Sequence, residues 1–111
     1  MKKKKITVNI NTTYKYLQIW NGIFDMTNKE LEILTAFIDV NYITEEVNLC
    51  CVANKKAVSG HVGVKDYNTL NNYIKRFKDK GVMLKKNGYY TLNPLLSPET
   101  DKVEIIINRD V

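Results

Sequence analysis

The chain of 111 residues contains few of the residue types that build catalytic or metal sites. It has one histidine, His61, and two adjacent cysteines, Cys50 and Cys51, which cannot form an ordinary disulfide without strain. Zinc sites need clusters of cysteine and histidine, and Ser59 and Ser97 lie in no nucleophile elbow. Phosphate-binding glycine loops are also missing. The sequence therefore argues against an enzyme, predicts no metal and no small-molecule cofactor, and leaves the cysteines as reduced packing residues.

Long apolar runs are missing as well. No stretch approaches the roughly 18 to 20 residues that cross a bilayer. The lysines at 2–5 are followed by the partly polar segment 6–10, which does not fit a signal peptide. We therefore expect a soluble cytoplasmic protein without membrane contact. With 44% apolar residues, a chain of this length forms one domain whose core needs no disulfide or metal.

The net charge of +5 is unevenly distributed along the chain. Segment 26–46 contains one lysine against five acids, whereas segment 55–86 contains nine lysines and arginines against two acids. This contrast predicts a positive face of the kind that binds nucleic acid. A solvated, lysine-rich helix is the alternative that charge alone leaves open. The lysines at 2–5 fit a phosphate-binding arm and a solubilising terminus equally well.

Apolar and polar residues alternate at both ends of the chain, over 5–10 and 103–107. A period of two is typical of half-buried strands, and the two terminal segments could pair with each other. Between them, an apolar stripe at helical spacing predicts a helix over 13–24. This stripe consists of Tyr16, Leu17, Trp20, Ile23 and Phe24.

A second helix is predicted from the capping box of Thr27 and Glu30, and it extends to about Asn41. Its apolar stripe leaves an exposed acidic face that consists of Glu30, Glu32 and Asp39. The stretch 43–49, around Val47, could hold a small strand. A shorter helix is expected over 49–58, and a turn through Gly60, His61 and Gly63 follows it.

The next helix is expected over 66–80, with Asp66 as its N-cap and Gly81 as its C-terminal stop. Its buried positions would be Leu70, Ile74 and Phe77. Asn87-Gly88 then predicts a two-residue hairpin turn, because both positions tolerate positive φ. In this hairpin Tyr89 and Tyr90 alternate faces, so one of them belongs to the core. The prolines Pro94 and Pro98 end the hairpin.

Segment 62–83 resembles a helix-turn-helix, in which a glycine turn precedes a recognition helix that ends in a lysine-rich turn, glycine and an apolar pair. Together with the hairpin, residues 27–93 resemble a winged helix-turn-helix domain of MarR-like transcription regulators. Segment 87–94, ending in Asn-Pro, is similar to the wing strand of RepL-type plasmid replication initiators and related phage proteins. The amphipathic segment 14–24 also looks like theirs.

This resemblance implies an α+β fold, a winged helix-turn-helix with terminal strands added. The single domain 1–111 then has three parts. Residues 1–26 comprise a basic arm, a strand and the N-terminal helix; residues 27–93 form the winged core; residues 94–111 form a C-terminal strand extension. The resemblance also implies that the protein is located in the cytoplasm of a bacterial or phage-infected cell.

The leading hypothesis is sequence-specific binding of double-stranded DNA by a protein of phage or plasmid type that regulates transcription or assists replication initiation. A recognition helix places its N-terminal side chains on base edges in the major groove and its flanking cations on phosphates. The candidate DNA-binding residues are Lys65, Tyr67, Asn68, Thr69, Asn71, Asn72, Lys75, Arg76, Lys85, Lys86 and Asn87.

The alternative is a non-catalytic structural or protein-interaction module, for example a phage assembly component, because a fold does not determine a function. Lysines without acidic partners on one continuous face would favour DNA, and scattered lysines would favour a protein partner. An RNA binder would need several exposed aromatic side chains on one sheet face, for which the pair 89–90 is the candidate. Apolar surface at Trp20, Phe24 and the terminal strands leaves a homodimer open.

Overall fold

The computed structural model of the protein describes residues 2–9, 12–97 and 102–109, and the side chains of 12–97. The chain order of the helices and strands is β1 (Lys2–Asn9), α1 (Thr13–Phe24), α2 (Asn28–Thr44), α3 (Val52–Val62), α4 (Tyr67–Asp79), β2 (Met83–Lys86), β3 (Tyr89–Leu92), a 3-10 helix (Pro94–Leu96) and β4 (Lys102–Arg109). Four helices followed by an antiparallel hairpin confirm the α+β class and are compatible with a winged-helix-like arrangement.

The two terminal segments pair with each other, as the alternation indicated. β1 runs antiparallel to β4, with Ile6 opposite Ile105 and Val8 opposite Val103. The pairing extends to Lys2 opposite Arg109, so the lysines at 2–5 belong to β1. The side chains of both strands lie outside the described residues.

α1 has the predicted bounds and begins after Thr12, whose hydroxyl accepts a hydrogen bond from the Lys15 backbone at 3.1 Å. Tyr16, Leu17 and Phe24 are buried, and Trp20 packs against the core. Ile23, expected on the buried stripe, is 68% exposed. The 3-10 helix covers α1 near its N-terminus, where the Tyr16 hydroxyl donates to the Leu95 carbonyl, and leaves Ile23 uncovered.

α2 begins with the predicted capping box. The Thr27 hydroxyl accepts from the Glu30 backbone at 3.1 Å, and the Glu30 carboxylate accepts from the Thr27 backbone at 3.0 Å. The helix continues to Thr44, beyond the expected end, and Glu45 terminates it with a φ of 52°. Glu30 was expected on the exposed face but is 1% exposed. Thr27 and Lys80 both donate to its Oε1, which compensates part of the cost of burial, whereas Oε2 is buried without a hydrogen-bond partner among residues 12–97.

The segment between α2 and α3 forms turns instead of the small strand expected over 43–49. Two hydrogen bonds of 2.9 Å hold this segment against β3. The Leu49 backbone N–H donates to the Tyr90 carbonyl, and the Tyr90 backbone N–H donates to the side-chain oxygen of Asn48. α3 therefore begins at Val52 and not at 49, with the Cys51 sulfur as its N-cap acceptor.

α3 also ends later than predicted. It continues through Gly60 and His61, which were expected to form a turn, and reaches Val62. The chain turns at Gly63, where φ is 74°, a conformation that glycine adopts without steric cost. Asp66 then caps α4, so a four-residue segment, 63–66, joins the two helices.

α4 and the hairpin agree closely with the sequence pattern. α4 buries Leu70, Ile74 and Phe77, and Gly81 follows with a φ of 77°. Asn87 and Gly88 have φ values of 54° and 80°, as a type I′ turn requires. Tyr90 packs against the core, while Tyr89 is exposed.

One apolar core joins the helices, the hairpin and the 3-10 helix. It includes the fully buried side chains of Leu17, Leu34, Phe37, Val58, Leu70, Phe77, Val82 and Leu96. Both cysteines are free thiols, as expected; Cys50 is buried, and this burial raises its pKa to about 12. None of the helices in the described residues is long and apolar enough to cross a membrane.

Candidate nucleic-acid interface

The described geometry places all eleven candidate residues at exposed positions. Seven lie on α4, Lys65 lies in the preceding turn, and three lie at the hairpin turn or next to it. α4 leads directly into the hairpin and packs against β2. The candidate residues therefore belong to two adjoining elements, α4 and the hairpin.

α4 has one buried side and one polar side. Leu70, Ile74 and Phe77 form the buried side. Asn68, Asn72 and Lys75 follow the i, i+4, i+7 spacing on the opposite side, and all three are exposed. Asn71 and Thr69 flank this stripe and are exposed as well. A polar face of this width is free to meet a ligand.

The C-terminal end of α4 is fixed to the start of α2 by a largely buried ion pair. The Lys80 ammonium lies 3.0 Å from the Glu30 carboxylate and donates to the Asp25 carbonyl at 2.7 Å. Burial raises the pKa of Glu30, but the hydrogen bonds from Thr27 and Lys80 outweigh that effect and hold the pKa below its ordinary value. Lys80 belongs to the basic segment of the sequence, but its contacts with Glu30 and Asp25 give it a structural role.

The N-terminal end of α4 is fixed by the turn before it. The Asp66 carboxylate accepts hydrogen bonds from the Asn68 backbone N–H at 2.9 Å and from the Thr69 hydroxyl at 3.5 Å. The Ser59 hydroxyl on α3 donates to the Val64 carbonyl in the turn. Thr69 is therefore partly engaged in the cap, whereas the asparagine side chains of α4 are not.

Two candidate cations lie over aromatic rings. The Arg76 guanidinium is 5.0 Å from the centre of the Tyr73 ring, and the Lys85 ammonium is 5.3 Å from that of Tyr90. Contacts of this kind contribute about 0.5–1 kcal/mol at exposed sites and restrict the direction of the cation. Neither of these contacts was predicted from the sequence. The i, i+3 spacing of Tyr73 and Arg76 on one helix indicates the first contact. The second is indicated by the two-residue turn, which places Lys85 opposite Tyr90.

Most of the positive charge on these elements has no acidic partner among residues 12–97. Within that range two lysines form ion pairs, Lys80 with Glu30 and Lys29 with Glu32. Apart from Lys15 on α1, the exposed cations without one are Lys56, Lys65, Lys75, Arg76, Lys78, Lys85 and Lys86. Lys78 was not among the candidate residues, although it lies on the same helix. These cations are carried by α3, the turn, α4 and the hairpin.

A second surface lies between the C-terminal end of α2 and β3. A groove of about 370 Å³ is lined by Ile38, Asn41, Tyr42, Val47, Leu49, Tyr90, Thr91, Leu92 and Ser97. Tyr42 and Val47 are 86% and 74% exposed. Glu45 and Glu46 are exposed in the same stretch. This region is apolar and acidic, unlike α4.

The described part of the chain contains no group of three or more histidine, cysteine, aspartate or glutamate side chains that could hold a metal ion. His61, expected to be a turn residue, is exposed in the last turn of α3. The chemistry available on α4 and the hairpin is therefore that of amide, hydroxyl and aromatic groups beside unpaired cations.

No protein-family model matches the chain, and no curated protein or solved structure is significantly similar to it. α3 and α4 pack against each other and are joined by a four-residue segment that contains Gly63 with positive φ, which is compatible with a helix-turn-helix. A hairpin follows immediately after α4.

Proposed function

We propose that this protein binds double-stranded DNA, with α4 in the major groove and the hairpin against the neighbouring backbone. The observation that carries the proposal is the placement of unpaired cations on the same elements as the polar face of α4. An α-helix fits the major groove, which is about 12 Å wide. Cations beside the helix would bind phosphates and provide affinity, while the polar face would contact base edges.

The proposed division of roles follows position on α4. Its first two turns carry Tyr67, Asn68, Thr69, Asn71 and Asn72, which would contact bases, since recognition helices read bases with their N-terminal residues. Lys75, Arg76 and Lys78 lie in the later turns and would bind phosphates. Lys85, Lys86 and Asn87 would extend the contact along the backbone. In this proposal the protein acts by occupying its site, in transcription or in replication initiation of a phage or plasmid.

A salt titration of duplex binding tests the proposal. Affinity for a labelled random-sequence duplex is measured by fluorescence anisotropy at increasing salt. With roughly five phosphate contacts, the log–log slope should be about −4 to −5 because bound counterions are released. A duplex affinity that does not change with salt, or no duplex binding at low salt, would overturn the proposal.

A second candidate function is a non-catalytic protein-interaction module, for example a phage assembly component. The groove between α2 and β3 favours it, because the exposed Tyr42 and Val47 are unusual on a surface that meets water alone. Glu45 and Glu46 make the same stretch acidic, so the occupant would be a protein segment with apolar side chains between lysines or arginines.

A peptide panel separates this candidate from DNA binding. Apolar peptides flanked by lysines should bind the protein, and the same peptides flanked by glutamates should not. Glu45→Lys combined with Glu46→Lys should reverse that preference. If lysine-flanked peptides bind no better than glutamate-flanked ones, the groove is not a site for such a partner.

A further inference from the structure

The asparagines of α4 differ from the structural asparagines elsewhere in the protein. Outside α4, five of the seven asparagine side chains within residues 12–97 form hydrogen bonds to the protein, and the exposed Asn28 and Asn87 do not; the five are Asn21, Asn41, Asn48, Asn54 and Asn93. Asn54, for example, is fully buried and donates to the Leu49 carbonyl at 2.9 Å. The side chains of Asn68, Asn71 and Asn72 have no such bond within that range, and all three are exposed.

These three amides form one continuous polar surface. Asn71 and Asn72 are three and four residues after Asn68, so the three side chains are neighbours on the helix. Asparagine is a poor residue for a helix interior, because its side chain competes for backbone hydrogen bonds. Three of them in five positions disfavour the helix, and no internal hydrogen bond offsets that cost. An external partner for the amides would account for them.

The same surface lacks the groups that read guanine and cytosine. Guanine is read by arginine or lysine, and α4 has no cation before Lys75. Cytosine is read by a carboxylate, but that of Asp66 accepts hydrogen bonds from the Asn68 backbone N–H and the Thr69 hydroxyl. Lys65 lies in the turn before the helix, outside the asparagine stripe.

Adenine is the base that an asparagine amide matches. The amide donates one hydrogen bond and accepts another, and in the major groove adenine offers N7 as acceptor and its N6 amino group as donor. Tyr67, exposed at the first position of α4, adds an aromatic surface that fits the methyl group of thymine. Building on the proposed function, we propose that α4 reads A·T base pairs in the major groove through Asn68, Asn71 and Asn72.

Selection from random duplexes tests this specificity. The enriched sites should share A·T pairs at about three adjacent positions. Replacing one of these pairs by G·C should lower affinity on the order of 10-fold. If no duplex binds at low salt, the proposed function itself fails. If duplexes bind without base preference, or with G·C preferred, DNA binding stands and the A·T inference is overturned.

Alanine variants test which groups are responsible. At least one of Asn68→Ala, Asn71→Ala and Asn72→Ala should lower affinity for the selected site on the order of 10-fold and leave affinity for random DNA unchanged. Asn28→Ala is the matched control, because Asn28 is exposed at the start of α2; it should change neither affinity. Equal losses on selected and random DNA, or no loss in any of the three variants, would overturn the inference.

A modified base separates major-groove reading from recognition of DNA shape. In 7-deazaadenine the N7 acceptor is missing, while base pairing and the minor groove are retained. This base at the selected positions should weaken binding of the unmodified protein on the order of 10-fold and should cause no further loss in the responsible alanine variant. If A·T preference survives this replacement, the narrow minor groove of A·T-rich DNA is being read, and the inference is wrong.

Discussion

α2 and α4 are both capped amphipathic helices, but they differ in how many of their residues are buried in the core. α2 buries seven of its 17 residues, including the carboxylate of Glu30. α4 buries three of its 13 residues, and its other side carries asparagines and cations. Comparing the two separates residues that the fold requires from residues that it leaves free. By this criterion the surface that we propose to bind DNA lies on α4, and α2 is the scaffold that supports it.

The largest expected effect comes from truncating the scaffold. Phe37→Ala on α2 removes a fully buried ring and should lower the free energy of unfolding by about 3–5 kcal/mol. Asn72→Ala on α4 should change it by no more than about 0.5 kcal/mol, because the side chain is exposed. Urea unfolding followed by circular dichroism measures both. A loss in Asn72→Ala as large as that in Phe37→Ala would contradict the division between the two helices.

The hairpin turn should show the next largest effect. Gly88→Val places a β-branched residue at a φ of 80° and should lower stability by about 1–3 kcal/mol. Thermal unfolding of the variant measures the effect, and Lys86→Val, next to the turn but in extended backbone, is the matched control. An unchanged midpoint in Gly88→Val would mean that the turn does not require positive φ at this position.

A smaller effect should come from acid titration of the link between α2 and α4. The pKa of Glu30 is lowered in the folded state, so its contribution to stability is present above its ordinary value of 4.5 and is lost as the pH falls through the folded value. The stability difference between the natural protein and Glu30→Gln should therefore be largest at neutral pH and shrink below 4.5.

Urea unfolding from about pH 7 to about pH 3 measures this difference. The control is Glu32→Gln, because the Glu32 carboxylate is exposed and lies 3.7 Å from Lys29. Exposed ion pairs contribute little, so its difference should stay small throughout. If the Glu30 difference is independent of pH, the ion pair with Lys80 does not stabilise the contact of α4 with α2.

A small effect on stability, together with a clear effect on binding, is expected at Lys85 and Lys86. Replacing both with alanine should weaken binding to all duplexes alike and make the salt slope shallower by about two units. Stability should fall by no more than about 1 kcal/mol, chiefly from the contact of Lys85 with Tyr90. Unchanged affinity and slope would show that the hairpin does not contact DNA, and the protein-interaction candidate would gain support.

The sequence predicted those features that local hydrogen bonds determine. Thr27 and Asp66 cap helices because each side chain accepts a bond from an amide two or three residues later. Gly81 and Asn87-Gly88 end segments because the backbone there needs positive φ. Such signals lie within a few residues of each other and can be read without a fold.

Features that depend on contacts between distant segments were not predicted. Glu30 was assigned to an exposed face because Lys80, fifty positions later, could not be placed beside it. The start of α3 was placed too early because the hydrogen bonds of Asn48 and Leu49 to Tyr90 were unknown. The exposure of the candidate site followed from the period of α4, whereas its cation contacts with aromatic rings needed the structure.

The most direct test of the central claim is to map the duplex on the isotope-labelled protein by nuclear magnetic resonance. A random-sequence duplex is added at low salt, and the backbone amide shifts are followed. If α4 and the hairpin bind the duplex, the shift changes should concentrate in residues 65–76 and 85–88, and the amide shifts of residues 42–47 in the groove should stay unchanged. Perturbations centred on 42–47, with α4 unaffected, would contradict the central claim.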